Sequence, residues 1–266
     1  MGLSFTALSH SVSRPQDDPY YCSLSHSLGD AFLFSRKSVD SKTENEDAVS
    51  VIENQKALIL SVADGVSGQR MASMASQSIL QELHKRLSKR VSRVRNCLID
   101  SIELANQKIH RKGRGAGTTL ASVEITADYI RPYIVGDSSV FLVGQKGKLR
   151  YRSIAHSPVG YALASGLIAE NEALSHEESH LLMNAIGGID LNIELGPFLE
   201  YQSTDRLLIC SDGLTDCLPQ DSILEVIRKG EPEEALQTLI EMVEARQKED
   251  PSLHDDLSLI LFRPRK

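Results

Sequence analysis

The sequence predicts an α+β fold made of antiparallel sheets with helix pairs packed outside them. Two observations lead there. Runs of strand-like residues are separated by pairs of helical patterns, not by single helices in one-for-one alternation, which argues against a doubly wound parallel sheet. Two runs, Leu58 to Ala63 and Leu207 to Ser211, read as fully buried strands, and each ends abruptly in Asp-Gly, at Asp64-Gly65 and Asp212-Gly213. With 266 residues, 41% hydrophobic and 24% charged, the chain can build an ordinary core.

In chain order, residues 1–20 are rich in Ser and Pro and lack periodicity, so a flexible lead-in is expected before one domain over 21–266. Tyr21 to Leu28, Ala31 to Phe34, Ala48 to Ile52 and Leu58 to Ala63 are strand candidates. Met71, Ala75, Ile79, Leu83 and Leu87 recur every four residues and predict a helix. Leu98, Ile102, Ala105 and Ile109 predict a second, with a break over Val91 to Asn96. Strands are expected at Thr118 to Ile125, Tyr129 to Val135, Val140 to Val143 and Leu149 to Ile154. Residues 155–190 are polar and lose the pattern, which reads as an excursion from the sheet. Ile193 to Leu195, Phe198 to Tyr201 and Leu207 to Ser211 resume strand character. Helices are expected after Pro219 and Pro232, since proline suits a first helical turn, and Leu257 to Phe262 is the last strand.

The formal charge of −7 argues against nucleic acid or an acidic membrane as a partner. No stretch is long and apolar enough to span a bilayer, and no secretory pattern opens the chain. Met1-Gly2-Leu3-Ser4-Phe5-Thr6 fits a loose myristoylation pattern that is frequent by chance. Cys22, Cys97, Cys210 and Cys217 lack metal-ligand spacing and read as free thiols, so a cytoplasmic protein is expected.

Four acids sit at strand boundaries. Asp64 and Asp212 close apolar runs, and Asp47 and Asp255 lie just before the starts of others. In an antiparallel sheet one strand ends where its neighbour begins, so all four can meet at one edge. Asp137 and Asp216 lie on adjoining turns and extend the set. Clustered carboxylates repel one another, and a divalent cation removes the conflict. Oxygen ligands select Mg²⁺ or Mn²⁺ over zinc, and glycine at position 65 lets its own carbonyl approach the ion. A lone Asp-Gly is usually just a turn; four acids at four strand boundaries favour a metal site.

These motifs, in this order, resemble those of the metal-dependent protein phosphatases of type 2C, in their bacterial serine/threonine-specific form. Asn45-Glu46-Asp47-Ala48, Ala63-Asp64-Gly65, Gly117-Thr118-Thr119, Gly136-Asp137-Ser138-Ser139, Ser211-Asp212-Gly213-Leu214-Thr215-Asp216 and Asp255-Asp256-Leu257-Ser258 carry the resemblance, over about residues 22–263. It implies a four-layer α-β-β-α sandwich of two antiparallel sheets flanked by helix pairs. It implies two Mn²⁺ or Mg²⁺ ions held by Asp47, Asp64, the Gly65 carbonyl, Asp212 and Asp255, with Asp64 bridging. Glu46 and Asp256 would stand in a second shell, and Asp137 and Asp216 would serve a third ion. Residues 155–190 correspond to a flap beside the site, with Gly166 near its bend. The implied reaction is hydrolysis of phosphoserine and phosphothreonine in proteins by a metal-activated bridging water, with no phosphoenzyme. The implied partners are a phosphorylated protein and a cognate serine/threonine kinase, and a monomer is expected.

The chain departs from that family pattern at four places. Lys42 stands where the family usually has the arginine that grips the substrate phosphate, so the charge is kept and the bidentate fork is lost. Arg36 is the alternative for that role, although a solvated surface arginine is the favoured reading of it. Val66 replaces a histidine found in many eukaryotic members, Ser139 an arginine, and Asp256 an asparagine.

Two other readings compete. His176-Glu177-Glu178-Ser179-His180 matches the zinc-protease pattern, with both imidazoles on one face if the segment is helical. Its flanks are weakly apolar and no third ligand follows, so a surface helix is favoured. A catalytically weak phosphoprotein-binding module on the same fold is the other reading, and the full acid set favours catalysis over it.

Overall fold

The computed structural model describes residues 6–7, 19–39, 44–55, 57–66, 71–89, 91–113, 115–174 and 176–265. The N-terminal half contains β1 (Thr6–Ala7), β2 (Tyr20–His26), β3 (Gly29–Arg36), β4 (Ala48–Glu53) and β5 (Leu58–Ala63), then α1 (Ala72–Leu87) and α2 (Val94–Lys112). Next come β6 (Leu120–Ile125), β7 (Ile130–Val135), β8 (Ser139–Val143) and β9 (Leu149–Arg152), followed by the short helices α3 (Pro158–Ala164) and α4 (Glu170–Ala173). The chain finishes with β10 (Glu194–Leu195), β11 (Arg206–Cys210), α5 (Asp212–Thr215), α6 (Gln220–Ile227), α7 (Pro232–Glu249) and β12 (Leu257–Pro264).

The strands form two sheets. One has the order β1-β2-β3-β12-β11-β8-β9 and the other β10-β7-β6-β5-β4. Among the described residues every strand pairing is antiparallel except that of β1 with β2, where Thr6 faces Cys22. Part of the expected lead-in is therefore tied to a sheet edge, and Tyr20 already belongs to β2.

Alternation along each strand explains why the strands are apolar on both faces. Leu58, Leu60 and Val62 of β5 meet Leu207 and Ile209 of β11 and Phe262 of β12 between the sheets. Ile59 and Ala63 point the other way and pack against Ile79 and Leu83 of α1 and Ile102 of α2. On the far side Leu208, Cys210 and Leu259 pack against Leu236, Leu239 and Val243 of α7. Three apolar seams thus separate four layers, helix pair, sheet, sheet, helix pair, as the sequence led us to expect.

Several boundaries differ from expectation. α2 begins at Val94, inside the expected break, because Val94 is buried and joins the helix seam. Phe198 to Tyr201 forms no strand: Leu199 makes a single bridge to Ile130, and exposed Phe198 lies under Arg131, 4.3 Å from guanidinium carbon to ring centre. Asp212 starts a one-turn helix instead of a plain turn. The segment around Glu177 to His180 is a set of turns, not a surface helix, so its histidines do not share a helical face. The excursion is pinned at both ends. The Met183 N–H donates to the His156 carbonyl at 2.9 Å, and Ile186 and Thr118 exchange backbone hydrogen bonds of 2.8 and 3.0 Å. Gly166, just past α3, has φ of +73°, which favours glycine.

α5 lies hard against the start of β12, and Gly213 permits it. A Cβ at that position would stand 2.0 Å from the Asp256 carbonyl oxygen. Gly213→Ala should therefore lower stability by about 2 kcal/mol, read as a fall of several degrees in Tm, since a backbone atom cannot step aside as a side chain can. An unchanged melting curve would show that α5 is free to move.

Candidate active site

The pairing register gathers the acids. Ala48 faces Ala63 across β4 and β5, so Asp47 and Asp64 flank one end of that pair. In the other sheet Cys210 faces both Ser139 and Leu259, which brings the Asp137 turn, Asp212 and Asp255 to the matching end. Asp216 closes α5 beside them. The six acids that lay apart in sequence thus border one region where the two sheets end.

Short side chains join the two halves. Ser211 Oγ donates to Asp47 Oδ2 at 2.8 Å and accepts from the Ser258 N–H at 3.0 Å, bridging the sheets. Ser258 Oγ donates to Ser35 Oγ at 2.8 Å, and Asn45 Nδ2 donates to the same oxygen at 3.0 Å. Asn45 Oδ1 accepts from the Asp47 N–H at 3.0 Å. The Asp64 N–H donates to Thr119 Oγ1 at 3.0 Å, and the Asp64 carbonyl accepts from Thr118 Oγ1 and the Thr119 N–H, each at 2.8 Å. Thr119 and Ser138 hydroxyls lie 2.6 Å apart, extending this network to the Asp137 turn. The Gly65 N–H donates to the Glu46 carbonyl at 3.1 Å. A Cβ on Gly65 would lie 2.6 Å from Ala72 backbone atoms, so glycine is required for α1 to start there.

Five of the six acids border a cleft of about 970 Å³. Asp64, Asp137, Asp212, Asp216 and Asp255 line one side. Val66, Leu174, His176, His180 and Leu182 line it as well, together with Arg246, Asp250 and Ser252 from the α7–β12 region. Asp47 is nearly fully buried.

The electrostatics are those of unneutralised carboxylates. Burial first, then repulsion from Asp256 and other acids, holds Asp47 well above the ordinary carboxylate range. Burial and the charges of Asp212 and Asp47 do the same to Asp64, whose carboxyl lies within hydrogen-bonding reach of that of Asp212. Burial raises Asp137 and Asp212 to about 6 and Asp255 to about 7, with Asp255 repelling Asp137, Asp137 repelling Asp212, and Asp212 repelling Asp255. Asp216 also moves up, through burial and then Asp212 and Asp137, although its surface stays open to cleft water, which screens the effect.

A divalent cation fits this arrangement. Asp47 Oδ1 and Asp212 Oδ1 are buried carboxylate oxygens with no hydrogen-bond partner. Such atoms are costly unless something positive meets them. Among the described residues no three acidic, histidine or cysteine side chains are drawn into a closed ligand shell. The donor set is oxygen only, which suits Mg²⁺ or Mn²⁺.

The other expected residues fare differently. Lys42 lies outside the described residues. Arg36 is buried, not solvated: Nη2 donates to Gln247 Oε1 at 2.6 Å and Nη1 to the Lys37 carbonyl at 3.1 Å. Glu46 lends its carbonyl to Gly65 and to Ser76 Oγ. Asp256 accepts from the Ser38 N–H at 2.6 Å and the Glu46 N–H at 2.5 Å. Ser139 is buried, with Oγ donating to the Asp137 carbonyl at 3.3 Å. His176 and His180 reach the cleft wall, where Nδ1 of His176 accepts from the Glu178 N–H at 3.1 Å. Sequence reasoning named Ser211 only within a motif, without its bridging role, and missed Ser35 and Gln247. Ser211 directly precedes Asp212, which is a local signal; Ser35 and Gln247 carry none.

The model of the family described as protein phosphatase 2C matches residues 36–258. The serine/threonine phosphatase stp of Listeria welshimeri is 30% identical over 197 residues, 69% of this chain and 77% of that protein. A serine/threonine phosphatase structure from S. agalactiae superposes with a TM-score of 0.75 at 27% identity, covering 88% of this chain and 98% of the other. The catalytic domain of the serine/threonine phosphatase PstP, solved with two manganese ions, superposes with a TM-score of 0.73 at 24% identity, covering 89% and 98%.

The raised carboxyls give stability a definite pH slope without metal. Unfolded aspartates titrate near ~3.9, so between about pH 4 and pH 7 the native metal-free chain binds more protons than the unfolded one. Stability then falls as pH rises through that window. Chelated protein should lose several degrees of Tm between about pH 5 and pH 8, and Mn²⁺ should restore most of the loss at pH 8. A chelated Tm that rises with pH would contradict the clustering.

Proposed function

Since the chain belongs to the protein phosphatase 2C family, we propose that this serine/threonine phosphatase hydrolyses phosphoserine and phosphothreonine in proteins with a pair of divalent ions. Asp47, Asp64, Asp212 and Asp255, with the Gly65 carbonyl, hold the pair in this reading. Asp137 and Asp216 serve a third ion, Glu46 and Asp256 stand behind the ligands, and Lys42 takes the substrate phosphate. The observation that carries the reading is the pair of partnerless buried oxygens, Asp47 Oδ1 and Asp212 Oδ1, of which Asp212 borders the carboxylate-lined cleft. When bound, two Mn²⁺ or Mg²⁺ ions supply an activated water for in-line attack and neutralise charge on the phosphate.

The chain's own residues do the positioning. Ser211 orients Asp47, and Thr118 and Thr119 hold the Asp64 backbone rigid. Direct attack by water agrees with the state of the thiol that lines the cleft. Cys217 lines the cleft, but burial first, and then Asp216, pushes it up to about 11. A thiol shifted in that direction is a poor nucleophile. Water adds its oxygen to phosphorus as the phosphorus–oxygen bond to serine or threonine breaks. Val66 has no proton to give, so the leaving oxygen takes its proton from cleft water.

The reading brings with it a phosphorylated protein substrate, a serine/threonine kinase that makes it, a monomeric enzyme and a cytoplasmic setting. Among the described residues no helix is long and apolar enough to cross a membrane.

Hydrolysis of p-nitrophenyl phosphate with Mn²⁺, Mg²⁺ or EDTA tests the reading. Turnover should need metal, and Asp64→Asn and Asp212→Asn should each lose more than about a hundredfold while keeping the wild-type circular dichroism. Activity retained in either variant would sink the site assignment. Absent turnover in a wild-type chain that still binds metal would leave a phosphoprotein-binding module.

A further inference from the structure

We propose that the turn joining α1 to α2 is a docking surface for an acidic segment of a protein partner, at the end of the molecule away from the cleft. The inference goes beyond the phosphatase reading and does not depend on it. Lys85, Arg86, Lys89, Arg93 and Arg95 lie on this turn and on the two helix ends beside it. Arg90 falls in the same stretch but outside the described residues, and the surface is defined without it. No aspartate or glutamate occurs between Glu82 and Asp100. Lys85, Lys89, Arg93 and Arg95 are exposed, and Arg86 is half-buried. Among the described residues none of the five forms an ion pair. Glu82 is buried and taken by Lys108, and Glu53, exposed at the end of β4, pairs with none of them.

The backbone that carries these cations is fixed. Asn54 Nδ2, from the β4–β5 turn, donates to the Leu87 carbonyl at 2.6 Å and to the Lys89 carbonyl at 3.0 Å. Leu87, Val94 and Leu98 are buried in the helix seam, so the basic side chains are left on the outside. β4 and β5 run six residues each from this end to Asp47 and Asp64. At a rise of ~3.3 Å per residue that is a separation of about 20 Å. A partner held at the turn therefore leaves the cleft open.

Local stability does not account for all of these charges. Lys85 and Arg86 occupy the last turn of α1, where a helix dipole favours cations. Arg93 and Arg95 stand at the start of α2, where the dipole disfavours them, and no acid occupies that first turn. Cations kept against that cost, in a chain of net charge −7, are matched by an anion from outside. Its size follows from screening, which limits the reach of surface charge to about 10 Å. A duplex or a bilayer extends well past the turn and meets the negative remainder of the surface. A short acidic segment meets the cations alone. Residues 84–96 also offer no aromatic ring for bases to stack on and no exposed large apolar side chain to enter a bilayer.

The test titrates the full Mg²⁺-saturated chain with a decaglutamate peptide at about 50 mM NaCl. The triple variant Lys85→Glu, Lys89→Glu, Arg93→Glu should weaken binding by at least about tenfold. The matched triple Lys146→Glu, Lys148→Glu, Lys248→Glu reverses three exposed lysines elsewhere and alters net charge equally. It should change affinity by less than about twofold. Wild-type binding should itself weaken about tenfold when salt is raised to about 300 mM. Amide shifts in the wild-type chain supply a readout that needs no variant: they should gather at residues 85–97 and spare Asp64 and Asp212. No binding by the wild type, equal losses in the two triple variants, or shifts centred on the cleft would each overturn the proposal. Tighter binding to phosphatidylglycerol vesicles or to duplex DNA than to the peptide would overturn it as well, in favour of a membrane or nucleic-acid surface. A wild type that binds the peptide but never turns over p-nitrophenyl phosphate would count against the functional reading alone.

Discussion

Repulsion among carboxylates is the constraint around which this molecule is arranged. Asp47, Asp64, Asp137, Asp212 and Asp255 each hold their protons more tightly than a free aspartate, burial being the first cause and neighbouring charge the next. Left to themselves such groups would drift apart or stay protonated. What keeps them together is a set of neutral donors fixed in the backbone of two sheets. Ser211 takes one oxygen of Asp47, and the Asp64 main chain is held by Thr118 and Thr119. Neutral hydroxyls can do this without cancelling the negative field, so the capacity to attract a cation is kept.

The four-layer architecture follows from where those acids must stand. Each sheet supplies part of the set, and Ser211 joins the two. Apolar seams on both faces of β5 and β11 make these strands rigid along their whole length. A carboxylate placed at the end of such a strand inherits that rigidity, which a loop could not offer. The helices outside complete the burial and contribute little directly to the acid cluster, α5 excepted, since Asp212 opens it and Asp216 closes it.

Much of the site was readable because its residues lie next to features with strong local signals. Asp64 and Asp212 end apolar runs, and their glycines turned out to be demanded by close backbone approach. Antiparallel pairing then brought Asp47 and Asp255 to the same region, as strand ends require. Other residues could not be placed this way. Arg36 reads as a surface cation from its polar neighbours, yet it is buried because Gln247, 211 residues away, accepts from it. His176 and His180 have helical spacing, but the turns between them follow the path of the excursion and not the periodicity.

What the sequence determined by itself is the order of elements, the face each side chain would seek, and the carboxylates that stand at strand boundaries. Those depend on period, turn residues and apolar content, all of which are local. Tertiary structure decided which backbone groups those carboxylates answer to. Asp255 and Asp256 are adjacent and chemically identical, and nothing local separates them. One lines the cleft, while the other spends both oxygens on Ser38 and Glu46. That division depends on contacts more than two hundred residues apart in sequence, which exist only once β3 and β12 have paired.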